Sequence, residues 1–355
     1  MIKIKFSKEN TEFTKTLRER VKKELSHSSK YDHSKLMMAI SLFLLIGIDF
    51  YLIISIKEPV LQFVLLTCLG FMLFLSGTYI IHEGTHGNIS KKQSLNKAFT
   101  NLFEIMACFS ADQYRLRHLV VHHTYPNIGK FDYDLDTNGI LRLSPAFERK
   151  AHHKYQWLYA LPLYAIGIIH IAWIEDLKRL FTSKLGVQEH KAWSAKDKVK
   201  QVSFKLLHLI LFIIYPCTLF PISSVLMGYF YVYAVGSLGI SLIFQVSHIN
   251  DKVIFIPKPN EENGMIELSE DWYEHQIKTS INYASQSKLM LYLTGGVNLQ
   301  IEHHLFPKVS FKNLPKVQKI VKQTCDEFHI PYHEEESFLK ALKEHFKFLK
   351  KMGEV

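Results

Sequence analysis

Cysteine is scarce in this 355-residue chain: Cys68, Cys108, Cys217 and Cys325 form no CxxC pair and no spacing that would build a disulfide framework or a zinc knuckle. They read as reduced, structural residues. No small-residue cleavage site follows the first apolar run, which begins only near Met37, so no removable signal peptide is expected. No G-x-G-x-x-G segment stands between a strand and a helix, which argues against a nicotinamide site in the chain. Repeats and low-complexity tracts are absent too, and a single domain over residues 1–355 is expected. Charge is missing in blocks. Residues 1–36 carry ten Lys/Arg, residues 37–81 carry only Lys57, and the stretch from Lys91 to Lys205 is basic again. With 48% hydrophobic residues and a net charge of +10, that segregation points to membrane spans flanked by cytoplasmic loops.

The apolar runs set the topology. Residues 36–56 and 60–81 are each long enough to cross about 30 Å of hydrocarbon as a helix, and only Lys57, Glu58 and Pro59 separate them. A second hairpin is expected over 204–220 and 223–246, broken at Pro216 and Pro221. The run 157–174 is apolar as well, yet it carries Pro162 and His170 and leads into EDLKRL; crossing there would put the Lys-rich 175–203 outside. It is therefore expected to lie in the interface or against a cytoplasmic cap. The predicted fold is an all-α integral membrane protein with four transmembrane helices, a cytoplasmic segment 1–36, and a cytoplasmic helical cap from 82–203 and 247–355.

This topology gathers histidines that the sequence spaces far apart. His82 and His86 in IIHEGTHG stand where the second span emerges, four residues apart and so on one helical face. RLRHLVVHHTYPN repeats the spacing at His118 and His122, with His123 expected roughly 100° away around an α-helix. GGVNLQIEHHLFP supplies His303 and His304 behind Gln300, and His248 ends the fourth span. The other eleven of the 19 histidines, among them His27, His153, His208, His275 and His345, read as surface or packing residues. Imidazole suits iron, copper and zinc alike, so ligand type does not choose the metal. Eight histidines are too many for one four-coordinate zinc and enough for two metals that each keep an open position.

HEGTH (82–86), HLVVHH (118–123) and QIEHH (300–304) resemble the three histidine boxes of the membrane fatty acid desaturase superfamily. The glutamine that opens the third is similar to that of front-end and linoleoyl-CoA-type acyl desaturases. HHTYPNIGKFDYDLD, DWYEHQIKTSINYA and LTGGVNLQIEHHLFP also look like stretches of that family, and the likeness covers about residues 35–350. The resemblance implies a non-haem di-iron centre at the cytoplasmic face, with His82, His86, His118, His122, His123, His248, His303 and His304 as ligands. Gln300, Asn298, Glu83 and Gln245 are candidates for the outer shell, and Trp272 and Gln276 for substrate or cap contacts. It implies an oxygen-dependent desaturase that takes two hydrogens from a fatty acyl chain carried on CoA, a lipid or a carrier protein. No HPGG haem segment is present, so electrons are expected from a separate ferredoxin or small cytochrome with its NAD(P)H reductase. The expected setting is a bacterial inner membrane, or the endoplasmic reticulum of a eukaryote, with membrane lipids and no nucleic acid as partners.

Two rival readings share parts of this pattern. HEGTH is literally H-E-x-x-H, the zinc metalloprotease motif with Glu83 as base, but it leaves six clustered histidines without a purpose. A di-iron hydroxylase would use the same scaffold and differ only in product. The first box more usually has Asp where Glu83 stands, which puts a longer side chain near the metals. The basic cytoplasmic surface suits an acidic carrier or a phosphate, although topology alone would also make it basic.

Overall fold

The computed structural model describes residues 3–26, 33–257, 261–262 and 265–354, so His27 and part of the N-terminal segment lie outside the described residues. Five helical stretches are long and apolar enough to cross a membrane: His33–Ser55, Pro59–Thr85, Ala151–Arg179, Ala195–Cys217 and Ile222–His248. The four expected spans are among them, and the fifth is the run that the sequence reading keeps out of the bilayer.

After α1 (Glu12–Leu25), α2 (His33–Ser55) and α3 (Pro59–Ser76) form the first hairpin. Its turn is fixed by Glu58, whose carboxylate accepts from the N–H groups of Val60 (3.1 Å) and Leu61 (2.6 Å), while Pro59 supplies a pre-set first helical residue. Leu44, Ile48, Tyr51, Val60 and Phe63 stay exposed along this hairpin, as a surface solvated by lipid requires. Its inner face packs closely on the last apolar helix: a Cβ on Gly70 would come within 2.7 Å of Val235, and one on Gly236 within 3.1 Å of the Gly70 carbonyl. Small residues at such a crossing let two backbones approach where lipid offers no hydrophobic drive to associate.

Amphipathic α4 (Gln93–Ala107) and short α5 (Ala111–Arg115) follow, then α6 (Gln156–His170), which continues through a π-turn to Arg179. Both ends of that continuous helix are tied to expected cap segments. Gln156 Nε2 donates to the Leu349 carbonyl (2.7 Å), and Asp176 accepts from the Ser110 N–H (2.8 Å). Trp157, Leu158, Leu161, Ile166 and Ile174 remain exposed. α7 (Ala195–Leu209) begins nine residues before the expected 204, because Ser194 and Asp197 form a reciprocal capping box and Gln201 and Lys205 are buried against neighbouring helices. α8 (Ile222–His248) is the longest helix and ends at the histidine cluster.

The cap is built from α9 (Trp272–Lys278), α10 (Lys288–Leu293), α11 (Gln300–Leu305), α12 (Leu314–Glu327) and α13 (Phe338–Glu354). Phe13, Leu17 and Val21 of α1 pack on Ile277, Ile301, Val317 and Val321, so the N-terminal helix joins it. The expectation of an all-helical fold needs one correction. β1 (Lys3–Lys8) runs parallel to β2 (Met265–Asp271), where alternating Ile4 and Phe6 meet Ile266 and Leu268 in a small apolar cluster.

Candidate metal centre

All eight singled-out histidines come together, and each is at most 9% exposed. The local backbone explains how. Residues Gly77–His82 and Leu116–His122 are π-helical turns, so the N–H of His123 reaches the carbonyl of His118 (2.9 Å), five residues back. This corrects the expected 100° offset: the wider turn rotates His123 onto the face of His118, and their Nε2 atoms stand 3.1 Å apart. Two sub-sites result. His82, His86, His118 and His303 hold their donor atoms within 4.8 Å of one another, and so do His122, His248 and His304. His123 lies between them, 3.3 Å from His303 by Nε2 and stacked on His304 at 4.3 Å between ring centres.

The outward nitrogens decide what the inward ones can be. His248 Nδ1 faces the Thr279 carbonyl (3.1 Å), which can only accept, so the proton is on Nδ1 and Nε2 is a bare lone pair. Gln276 donates its amide to the His123 carbonyl (3.1 Å), and this turns its Oε1 to His304 Nδ1 (2.7 Å). His122 Nδ1 lies 3.3 Å from each oxygen of the buried Asp132, itself held by the Asn127 N–H (2.9 Å). Three lone pairs therefore converge in the second sub-site. Burial first, and neighbouring imidazoles second, hold His86, His118, His123, His303 and His304 well below the ordinary histidine range, so they enter the site uncharged. Burial alone would do the same to His122, but the Asp132 carboxylate and its hydrogen bond raise it instead. In the second sub-site the acceptors behind His122, His248 and His304 turn their Nε2 atoms inward, and in the first His86, His118 and His303 are neutral rings; both donor sets fit a bound cation.

Gln300 lies beside the second sub-site. Its Nε2 is 2.9 Å from His248 Nε2 and 3.1 Å from His304 Nε2, and its Oε1 is buried without a hydrogen-bond partner among the described residues. The same amide turned over presents that oxygen to the point where the lone pairs meet. Of the other outer residues, Gln245 lines the adjoining cavity with an Oε1 that has no hydrogen-bond partner among the described residues, and Gln276 orients His304. Asn298 holds the loop before the third box, accepting from Thr294 (3.1 Å) and donating to the Tyr283 carbonyl (3.3 Å). Trp272 lies edge-on to Tyr273 in the α1–α12 core and does not line the cavity. Glu83 is ion-paired with buried Lys35, which leaves it no freedom to serve as a protease base.

Three residues at the site were missed by the sequence reading. Asp132 and Asp134 sit ten and twelve residues past His122 in a stretch quoted for its family likeness but given no role; Lys35 comes from the first turn of α2 and has no local signal. Of the remaining histidines, His153, His208, His275 and His345 are buried packing residues with partners, such as Tyr164 for His345 (2.9 Å), and His33, His152 and His329 are exposed.

A cavity of about 370 Å³ leads away from His118, His122 and His248, walled by Gly77, Ile81, Phe244 and Leu163, to Asn138 and Ile140. A second, apolar cavity of about 140 Å³ lies between the spans around Phe50, Leu66, Phe212 and Tyr229; Leu73 stands in the wall of both.

Residues 59–336 match the model of the family described as fatty acid desaturase. Over 347 residues the chain is 28% identical to the sn-1 linoleoyl-lipid 6-desaturase of Arthrospira platensis, covering 96% of this chain and 92% of that one. It is 28% identical over 367 residues to acyl-lipid (8-3)-desaturase B of Dictyostelium discoideum, with 97% and 76% covered. With that match over most of its length, and with all three histidine boxes meeting in one buried site, the chain belongs to the fatty acid desaturase family.

Proposed function

We propose that this enzyme is an oxygen-dependent desaturase of lipid-linked fatty acyl chains that works through a histidine-ligated di-iron centre on the cytoplasmic face of a four-span membrane fold. The observation that carries the proposal is the convergence of eight buried imidazoles on two adjoining sub-sites. Two irons bound there would supply the oxygen chemistry that an unactivated C–H bond demands. His82, His86, His118 and His303 would hold one, His122, His248 and His304 with Gln300 the other, and His123 lies between. The protein's own task is placement. The cavity beside His118 and His248 would take the acyl chain along its apolar side, Ile81, Leu163 and Phe244, and Asp132, Gln276 and the Thr279 carbonyl keep three rings from turning. Substrate presented by a lipid is favoured because the curated relatives above are named for acyl groups on lipids. Four spans are favoured because both ends of the Gln156–Arg179 helix bond to the same cap that carries the histidines. Two electrons per turnover would come from a separate ferredoxin or small cytochrome.

Gas chromatography of total fatty acids from a desaturase-deficient host expressing the chain tests this. One new double bond at one position is expected. A hydroxylated product, or an unchanged profile from iron-loaded protein, would defeat the assignment.

A further inference from the structure

Lys35 is 1% exposed and stands in the first turn of an apolar helix. A cation there opposes the helix dipole and must leave water, so its place needs a compensating partner. That partner is Oε2 of Glu83, itself 3% exposed. The other oxygen, Oε1, faces His82 Nδ1 at 3.6 Å. His82 Nδ1 is buried with no hydrogen bond among the described residues, whereas the corresponding nitrogens of His122, His248 and His304 each have an acceptor. On its inner side His82 Nε2 is 3.1 Å from His303 Nε2. Glu83 Oε1 thus stands beside the outward nitrogen of His82 while its other oxygen pairs with Lys35.

We propose that Lys35 is a positioning residue of the metal centre: by anchoring Glu83 it holds the acceptor that fixes the ring of His82, so the start of the first span tunes metal affinity at the first sub-site. This rests on the metal-centre reading above. One carboxylate, that of Glu83, stands beside both the lysine and the imidazole.

Iron(II) titration of purified, metal-stripped full-length protein against a competing chelator, with melting midpoints recorded in parallel, tests the proposal. Lys35→Met should weaken binding at one sub-site about 10- to 100-fold, the range typical of lost outer partners of metal-bound histidine. The decisive variant is K35M/E83L. Exchanging a buried ion pair for apolar residues is commonly neutral or stabilising, so it should keep the wild-type melting midpoint and still lose affinity. Wild-type affinity in that double variant, or affinity and melting midpoint falling together, overturns the proposal in favour of a purely structural pair. His303→Ala is the control. If it too binds iron as wild type does, the metal-centre reading itself has failed, a result distinguishable from failure of the Lys35 role alone.

Discussion

A buried imidazole must place one proton between two nitrogens, and at this site the surrounding acceptors make that choice for it. The same logic of burial governs Glu104, at the end of α4 behind the cavity. Burial pushes its carboxyl from an ordinary 4.5 up to about 7, against the opposing pull of Lys200 (3.8 Å) and the Ala111 N–H (3.2 Å). The folded protein therefore holds this proton more tightly than the unfolded chain does. The associated stability is fully present below about pH 4.5 and is lost as pH rises towards 7, amounting to about 3 kcal/mol for such a shift. Glu104→Gln, which mimics the protonated side chain, should flatten the fall in melting midpoint over that window in detergent; an unchanged slope would show that Glu104 does not titrate there. At this scale the sequence was informative wherever a residue type is rare by chance. Paired histidines at spacing four are such a signal, and all eight chosen residues meet. Lys35, Asp132 and Glu104 carry no such mark, since a lysine before an apolar run usually marks a membrane edge and an acidic residue in a loop usually meets water.

Helices were legible from length and apolarity, and their ends less so. α7 starts early because a capping box and a buried lysine extend it, features that polar composition hides from a search for apolar runs. The π-turns at the first two boxes were invisible, because an i to i+5 backbone bond follows from the packing of α3 and of the His118 segment around the site and not from local propensity. The stretch 151–179 poses the sharpest question, being long enough to span yet tied at both ends to the cap. A reporter fused after Lys191 should appear cytoplasmic, as should one at the C-terminus, while reporters after Lys57 and Pro221 should appear external. An external reporter at Lys191 would put the Gln156–Arg179 helix across the bilayer and end the four-span topology.

As a whole the molecule joins a lipid-solvated stem, stitched by small residues, to a cap in which Asp132, Gln276 and the Thr279 carbonyl orient histidines. Box residues come from the turns that follow α3, from the π-turn after α5 and from α11, with His248 from α8, so no single element contains the site and the fold must close before the site exists. Metal binding and folding are then linked: whatever the cation contributes on binding, it contributes to the assembled state. Metal content of the purified, full-length protein tests this account most directly. About two irons per chain and little zinc are expected, with His303→Ala and His304→Ala each losing iron while His345→Ala, which removes a packing histidine, keeps it. A protein that binds a single zinc and retains it in His303→Ala would contradict the account.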